Sequence, residues 1–181
     1  ALQELDNAIN VYYDVIAIDA NNYDAYVYRA ICNQELGKNE MVLSNLEKAI
    51  SINPKNGFAY QIRANNYTYW MKANYEQAIK DYDQVILLFP TDFPENEKAI
   101  IYNNRGFAKY QTKDFESALK DINTSIELFS KNAYAYRNRA LVHLASANKV
   151  ELCNDLAKAK ELNFEERYGQ EVNGLLMKYC N

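Results

Sequence analysis

A tyrosine, an arginine three residues later and then a small residue occur together four times in this sequence. The copies are Tyr26–Arg29–Ala30, Tyr60–Arg63–Ala64, Tyr102–Arg105–Gly106 and Tyr136–Arg139–Ala140. A guanidinium is suited to paired, charge-assisted hydrogen bonds with a carboxylate, so a fourfold word built on arginine asks for a fourfold partner. The other reactive side chains are sparse. His143 is the only histidine and reads as a packed or rim side chain. Cys32, Cys153 and Cys180 are scattered and odd in number; no two have metal-ligand spacing, which argues against a disulfide framework and for small buried or tail thiols. Glu165 and Glu166 fall at a helix start and read as solvated charge. There is no glycine-rich phosphate loop and no G-x-S-x-G elbow. No catalytic residue, cofactor or metal site is therefore expected, and the chain is not expected to be an enzyme.

The word must be positioned by something that repeats with it. Its tyrosines are spaced by 34, 42 and 34 residues, and a second pattern follows each copy: 41–54, 75–90, 115–130 and, with changes, 150–163. Apolar or small residues there recur at steps of three and four, as in Ala78, Ile79, Tyr82, Val85 and Ile86, which marks an amphipathic helix. Each unit is thus a helix carrying the word, followed by a second helix. The expected pairs are 23–36 with 39–52, 57–72 with 75–88, 95–112 with 115–128, and 133–146 with 149–161. Residues Leu2 to Asp19 read as a lone second helix, and Glu165 to about Lys178 as one more. Asn74 with Gln77 and Asn148 with Glu151 resemble capping boxes, Asp114 is a cap, and Pro54 and Pro90 mark stops. The long interval is assigned to about two extra residues around 69–73 and six at 93–98, where Pro94, Glu95 and Glu97 suit an added first turn.

Composition agrees. Only 5 Gly and 3 Pro among 181 residues favour helices over many short strands. A net charge of −4 and a pI near 5.1 give no basic footprint for nucleic acid. The longest apolar run, 85–89, is far short of a membrane span. The first ten residues show neither a basic nor an apolar leader region, and with unpaired cysteines this leans toward a reducing, cytoplasmic compartment.

A two-helix unit of 34 residues with an aromatic, a small residue four on and a later alanine resembles the tetratricopeptide repeat. The stretch "YNNRGFAKYQTKDFESALKDINTSIEL" carries that resemblance best. It implies an all-α, right-handed superhelix. The expected organisation is one domain: a half repeat 1–22, repeats 23–56, 57–98, 99–132 and 133–164, and a capping helix 165–181. Tyrosine stands where the family often has tryptophan, and Val42 and Leu152 stand where it often has alanine.

With antiparallel pairing, Asn45, Asp81, Asp121 and Asp155 on the second helices become the partners of the four arginines. The family's concave groove falls on Asp24, Val27, Ile31 and Gln34; Phe58, Gln61, Asn65 and Tyr69; Asn103, Asn104, Phe107 and Tyr110; and Tyr134, Arg137, Asn138 and Leu141. The resemblance therefore implies a non-catalytic protein-interaction scaffold for an extended peptide or partner helix, with Phe58, Phe107 and Tyr134 as leading aromatics and Arg137 as the exposed cation. The alternative is a structural or regulatory arm of a larger protein. Asn65 and Asn104 match two positions of the family's chaperone-tail clamp, but Gln61, Tyr134 and Asn138 replace its basic residues, so that ligand is not expected.

Overall fold

The computed structural model describes residues 2–70 and 74–180. Among them the regular structure is entirely helical. The chain divides into two compact units, one ending at Phe89 and the other beginning at Pro90. The first holds α1 (Leu2–Ile18), α2 (Tyr23–Glu35), α3 (Asn39–Ile52), α4 (Gly57–Tyr69) and α5 (Tyr75–Leu87). The second holds α6 (Glu95–Gln111), α7 (Phe115–Leu128), α8 (Ala133–Ala145), α9 (Lys149–Glu161), α10 (Phe164–Tyr168) and α11 (Glu171–Tyr179).

Asparagine and aspartate start most of these helices, because a side-chain oxygen there satisfies an orphan backbone N–H. Asn74 accepts from Gln77 N, Asp114 from Ser117 N and Asn148 from Glu151 N, as the capping pattern anticipates. Asn22, Asn56 and Asn132 do the same for α2, α4 and α8. The insertion before the third word is helical: α6 has 17 residues against 13 in α4, with the Pro94 carbonyl accepting from Lys98 N at 2.9 Å. The other insertion, at 69–73, falls mainly on 71–73, outside the described residues.

Word-bearing and following helices pack as α2 with α3, α4 with α5, α6 with α7 and α8 with α9. The small residue permits this. A Cβ added to Gly106 would lie 2.7 Å from Ile122 Cγ1 and 3.2 Å from the Ala118 carbonyl, and Ala30, Ala64 and Ala140 are fully buried at the same place. The core of the first unit gathers Tyr26, Val27, Val42, Leu46 and Ile62. That of the second gathers Leu152, Leu156, Phe164 and Val172, with Ala118, Ile122 and Val142 nearby.

The C-terminal segment departs from the sequence reading in two respects. The single helix expected from Glu165 to Lys178 is broken, because Gly169 adopts φ +91° and ends α10. Glu165, expected to be solvated, accepts from Asn173 N at 2.7 Å and so caps the first turn of α11. In addition, Cys153 and Cys180 form a disulfide, with Cα atoms 5.6 Å apart, while Cys32 is free. The expectation of three thiols is overturned, and with it one ground for a reducing compartment. Sequence spacing could not find this pair, because a helix pair and a break separate the two cysteines. The bridge ties the end of α11 to α9. Reduction, or Cys180→Ser, is expected to lower stability by about 3 kcal/mol. Amide exchange in α11 should accelerate before exchange in α6 or α7.

Candidate interaction surface

The four arginines find the partners that antiparallel pairing assigns. Arg63 donates to both oxygens of Asp81 at 2.8 Å. Arg105 grips Asp121 at 2.7 and 2.6 Å, and Arg139 grips Asp155 at 2.9 and 2.7 Å. Arg29 donates once, to Asn45 Oδ1 at 2.8 Å. All four partners are buried. Bonding to the carboxylates raises the Arg63 and Arg139 pKa further above their ordinary value, more than burial lowers it. Lys109 joins Asp121 at 2.8 Å, and His143 Nε2 lies 3.6 Å from Asp155 Oδ2.

The tyrosine of the word belongs to the same device. Helical side chains lean toward the N-terminus, so an arginine at i+3 settles over the residue at i. The guanidinium carbons of Arg29, Arg63, Arg105 and Arg139 lie 5.3, 5.8, 5.4 and 5.5 Å from the ring centres of Tyr26, Tyr60, Tyr102 and Tyr136. That is within cation–π range, and it explains why the tyrosine comes first.

The residues assigned to a groove are used differently in the two units. In the first, Phe58 is 45% exposed and Tyr69 43%, Gln61 is half-buried, Asp24 of α2 is exposed, and Ile31 of α2 packs partly buried against the core. Asn65 accepts from the Tyr82 hydroxyl at 2.7 Å, and Gln34 accepts from Asn66 Nδ2 at 3.4 Å. Val27 is buried in the core and offers nothing to a ligand.

In the second unit the assigned polar residues bond to one another. Asn138 Nδ2 donates to Asn103 Oδ1 at 2.9 Å, Asn103 donates to Asn104 at 3.3 Å, and Arg137 Nη1 donates to Asn138 Oδ1 at 2.7 Å. Asn103, Asn104 and Asn138 are buried. Arg137, expected as a groove cation, forks onto Glu171 of α11 at 3.0 and 2.5 Å and lies over Phe107 and Tyr134. Tyr134 stacks on Phe164 at 5.8 Å and meets Tyr168 at 5.0 Å. Phe107 neighbours Tyr110 at 6.3 Å, and Leu141 is half-buried. A polar ladder thus runs from α6 through α8 to α11. Glu171, Phe164 and Tyr168 were missed from sequence. One signal existed: Glu171 lies 34 residues after Arg137, one repeat period on.

Asp121, which receives both Arg105 and Lys109, is the most heavily used carboxylate of the set. Replacing it with alanine strands two cations at a buried position and is expected to cost roughly 3–5 kcal/mol, read as a lowered midpoint in denaturant melts.

No protein-family model matches the chain. It is 24% identical over 170 residues to a DnaJ homolog subfamily C member 7 homolog of Schizosaccharomyces pombe, covering 88% of this chain and 35% of that protein. It is 34% identical over 87 residues to human serine/threonine-protein phosphatase 5, covering 48% of this chain and 16% of that protein. The chain thus spans about a third or less of these relatives' length. Among solved structures, the type IV pilus biogenesis factor PilW superposes with a TM-score of 0.82 at 16% identity, over 98% of this chain and 78% of that one. YrrB, described as a TPR protein with an unusual peptide-binding site, superposes at 0.71 and 15% identity, over 93% and 83%. Paired helices, the repeated word and these superpositions agree on the fold, which is all-α and of the tetratricopeptide-repeat type.

Proposed function

We propose that this chain is a non-catalytic protein-interaction scaffold that binds an extended peptide or partner helix against its word-bearing helices. Phe58 and Tyr69 carry the proposal: two large aromatics stay exposed on one helix, α4, while Tyr134, the equivalent of Phe58 in α8, is packed against Phe164 and Tyr168 of α10. Gln61 between them supplies a donor and an acceptor for a peptide backbone, and the exposed Trp70 extends the apolar surface. In the second unit Asn103, Asn104, Arg137 and Asn138 serve the ladder, which leaves Phe107, Tyr110 and Leu141 as candidate contacts there. Acidic chaperone tails are not the proposed ligand, because Gln61, Tyr134 and Asn138 stand at the basic positions of that clamp. Among the described residues no helix is long and apolar enough to cross a membrane.

A role as an arm of a larger protein is compatible with the same surface, since the matched relatives are several times longer. The immobilised chain is expected to capture a protein partner from lysate, and Phe58→Ala with Tyr69→Ala to lose most of that capture at unchanged melting temperature. Equal capture by both forms contradicts the proposal.

A further inference from the structure

We infer that a cavity at the turn between α8 and α9 is a binding site for an aromatic carboxylate, the ring seated inside and the anion held at the mouth by two lysines. The cavity lies in the second unit and shares no residue with the surface proposed on α4, so each reading can fail alone.

The cavity arises from a change of side chain at one position. Six residues before the paired carboxylate, the second and third helix pairs carry an aromatic: Tyr75 before Asp81 and Phe115 before Asp121. In the third pair Phe115 lies against Tyr110, with ring centres 5.9 Å apart, and both pack on the core of Ala118, Ile122 and Val142. In the fourth pair Lys149 stands at the position of Phe115, and Leu144 at that of Tyr110. Lys149 is exposed, so two rings give way to a single leucine. A cavity of about 220 Å³ remains, walled by Leu144 of α8, Leu152 of α9 and Tyr179 of α11. An apolar cavity of about 150 Å³ is enough to take up benzene. A phenyl ring with a short chain therefore fits the space that a phenylalanine side chain fills one repeat earlier.

Charge at the mouth specifies the rest of the ligand. His143, Lys149 and Lys178 complete the lining, and no carboxylate shares it. Asp155, 3.6 Å from His143 Nε2, is already gripped by Arg139 at 2.9 and 2.7 Å. Among the described residues Lys149 and Lys178 pair with no carboxylate. Lysine stems lie along apolar surface and leave the ammonium in water. Here Lys178 Nζ stands 4.9 Å from the Tyr179 ring centre, beside the apolar wall. The Cys153–Cys180 bridge fixes the end of α11 that supplies both residues. Two ammonium groups without a counter-charge, at the mouth of an apolar cavity, select an anion a few bonds from a ring.

The test is an amide NMR titration of the full chain with hydrocinnamate, a phenyl ring joined to a carboxylate by two methylenes. Saturable shifts are expected at Leu144, Leu152 and Tyr179, with a Kd of about 1 mM or tighter, a range within reach of ligands of this size. Hydrocinnamamide, equal in shape and uncharged, should bind about tenfold more weakly, the loss of one hydrogen bond to a charged group. Lys149→Phe should fill the cavity as Phe115 does and abolish binding, with the melting temperature unchanged or raised. Lys178→Gln, at an exposed position, should weaken binding of the acid and leave the amide unaffected. A short peptide ending in phenylalanine distinguishes the sources of the ligand. Binding tighter than that of hydrocinnamate assigns the site to a protein C-terminus, and weaker binding assigns it to a free acid. No saturable shift at these residues, equal affinity for acid and amide, or binding that survives Lys149→Phe overturns the proposal.

Discussion

A carboxylate that has lost its water is the constraint on which three of the four helix pairs depend. Asp81, Asp121 and Asp155 are buried between two helices, where an unpaired charge is intolerable. Only a guanidinium delivered from the facing helix, with both N–H arms aligned, makes that burial tolerable. The rest of the word follows from this need. The preceding tyrosine holds the guanidinium plane, and the following small residue lets the helices approach closely enough for it to reach. Tyr-x-x-Arg-small is thus one device rather than three independent preferences. The first pair shows the device relaxed: Asn45 carries no charge, and Arg29, with one bond to it, also lies 4.3 Å from the Tyr13 ring centre of α1.

Such pairs add little net stability over an apolar interface, because attraction and desolvation nearly offset. What they supply is register. A helix sliding by one residue would leave both charges unpaired, so each pair has one permitted alignment. The residues outside the word are then free to differ. In the second unit they are spent on the ladder from Asn104 to Glu171, which secures α11 together with the disulfide. In the first unit they remain at the surface as Phe58 and Tyr69.

Local and periodic features were legible in the sequence. Helix pairing, the caps at Asn74, Asp114 and Asn148 and the lengthened α6 follow from spacing, and the four arginine partners from that spacing together with the antiparallel pairing the resemblance implies, because they repeat with the period that defines the fold. Features that occur once were not legible. The Cys153–Cys180 bridge, the break at Gly169 and the capture of Arg137 by Glu171 involve the terminal segment, where no second copy exists for comparison. Asn103 and Asn138 show the limit of transferring groove positions from a family. Amides at such positions can face a ligand or each other, and the neighbour that decides lies 35 residues away. Apolar placement carried less ambiguity, although Val27 shows that a groove position can turn inward.

The most direct measurement is a double-mutant cycle on Arg63 and Asp81 by equilibrium denaturation, with Arg63→Met, Asp81→Leu and the double variant. The pairing account predicts that each single substitution is strongly destabilising, by roughly 3 kcal/mol or more, while the double variant recovers most of the loss. Additive losses, with no coupling between the two sites, would contradict it.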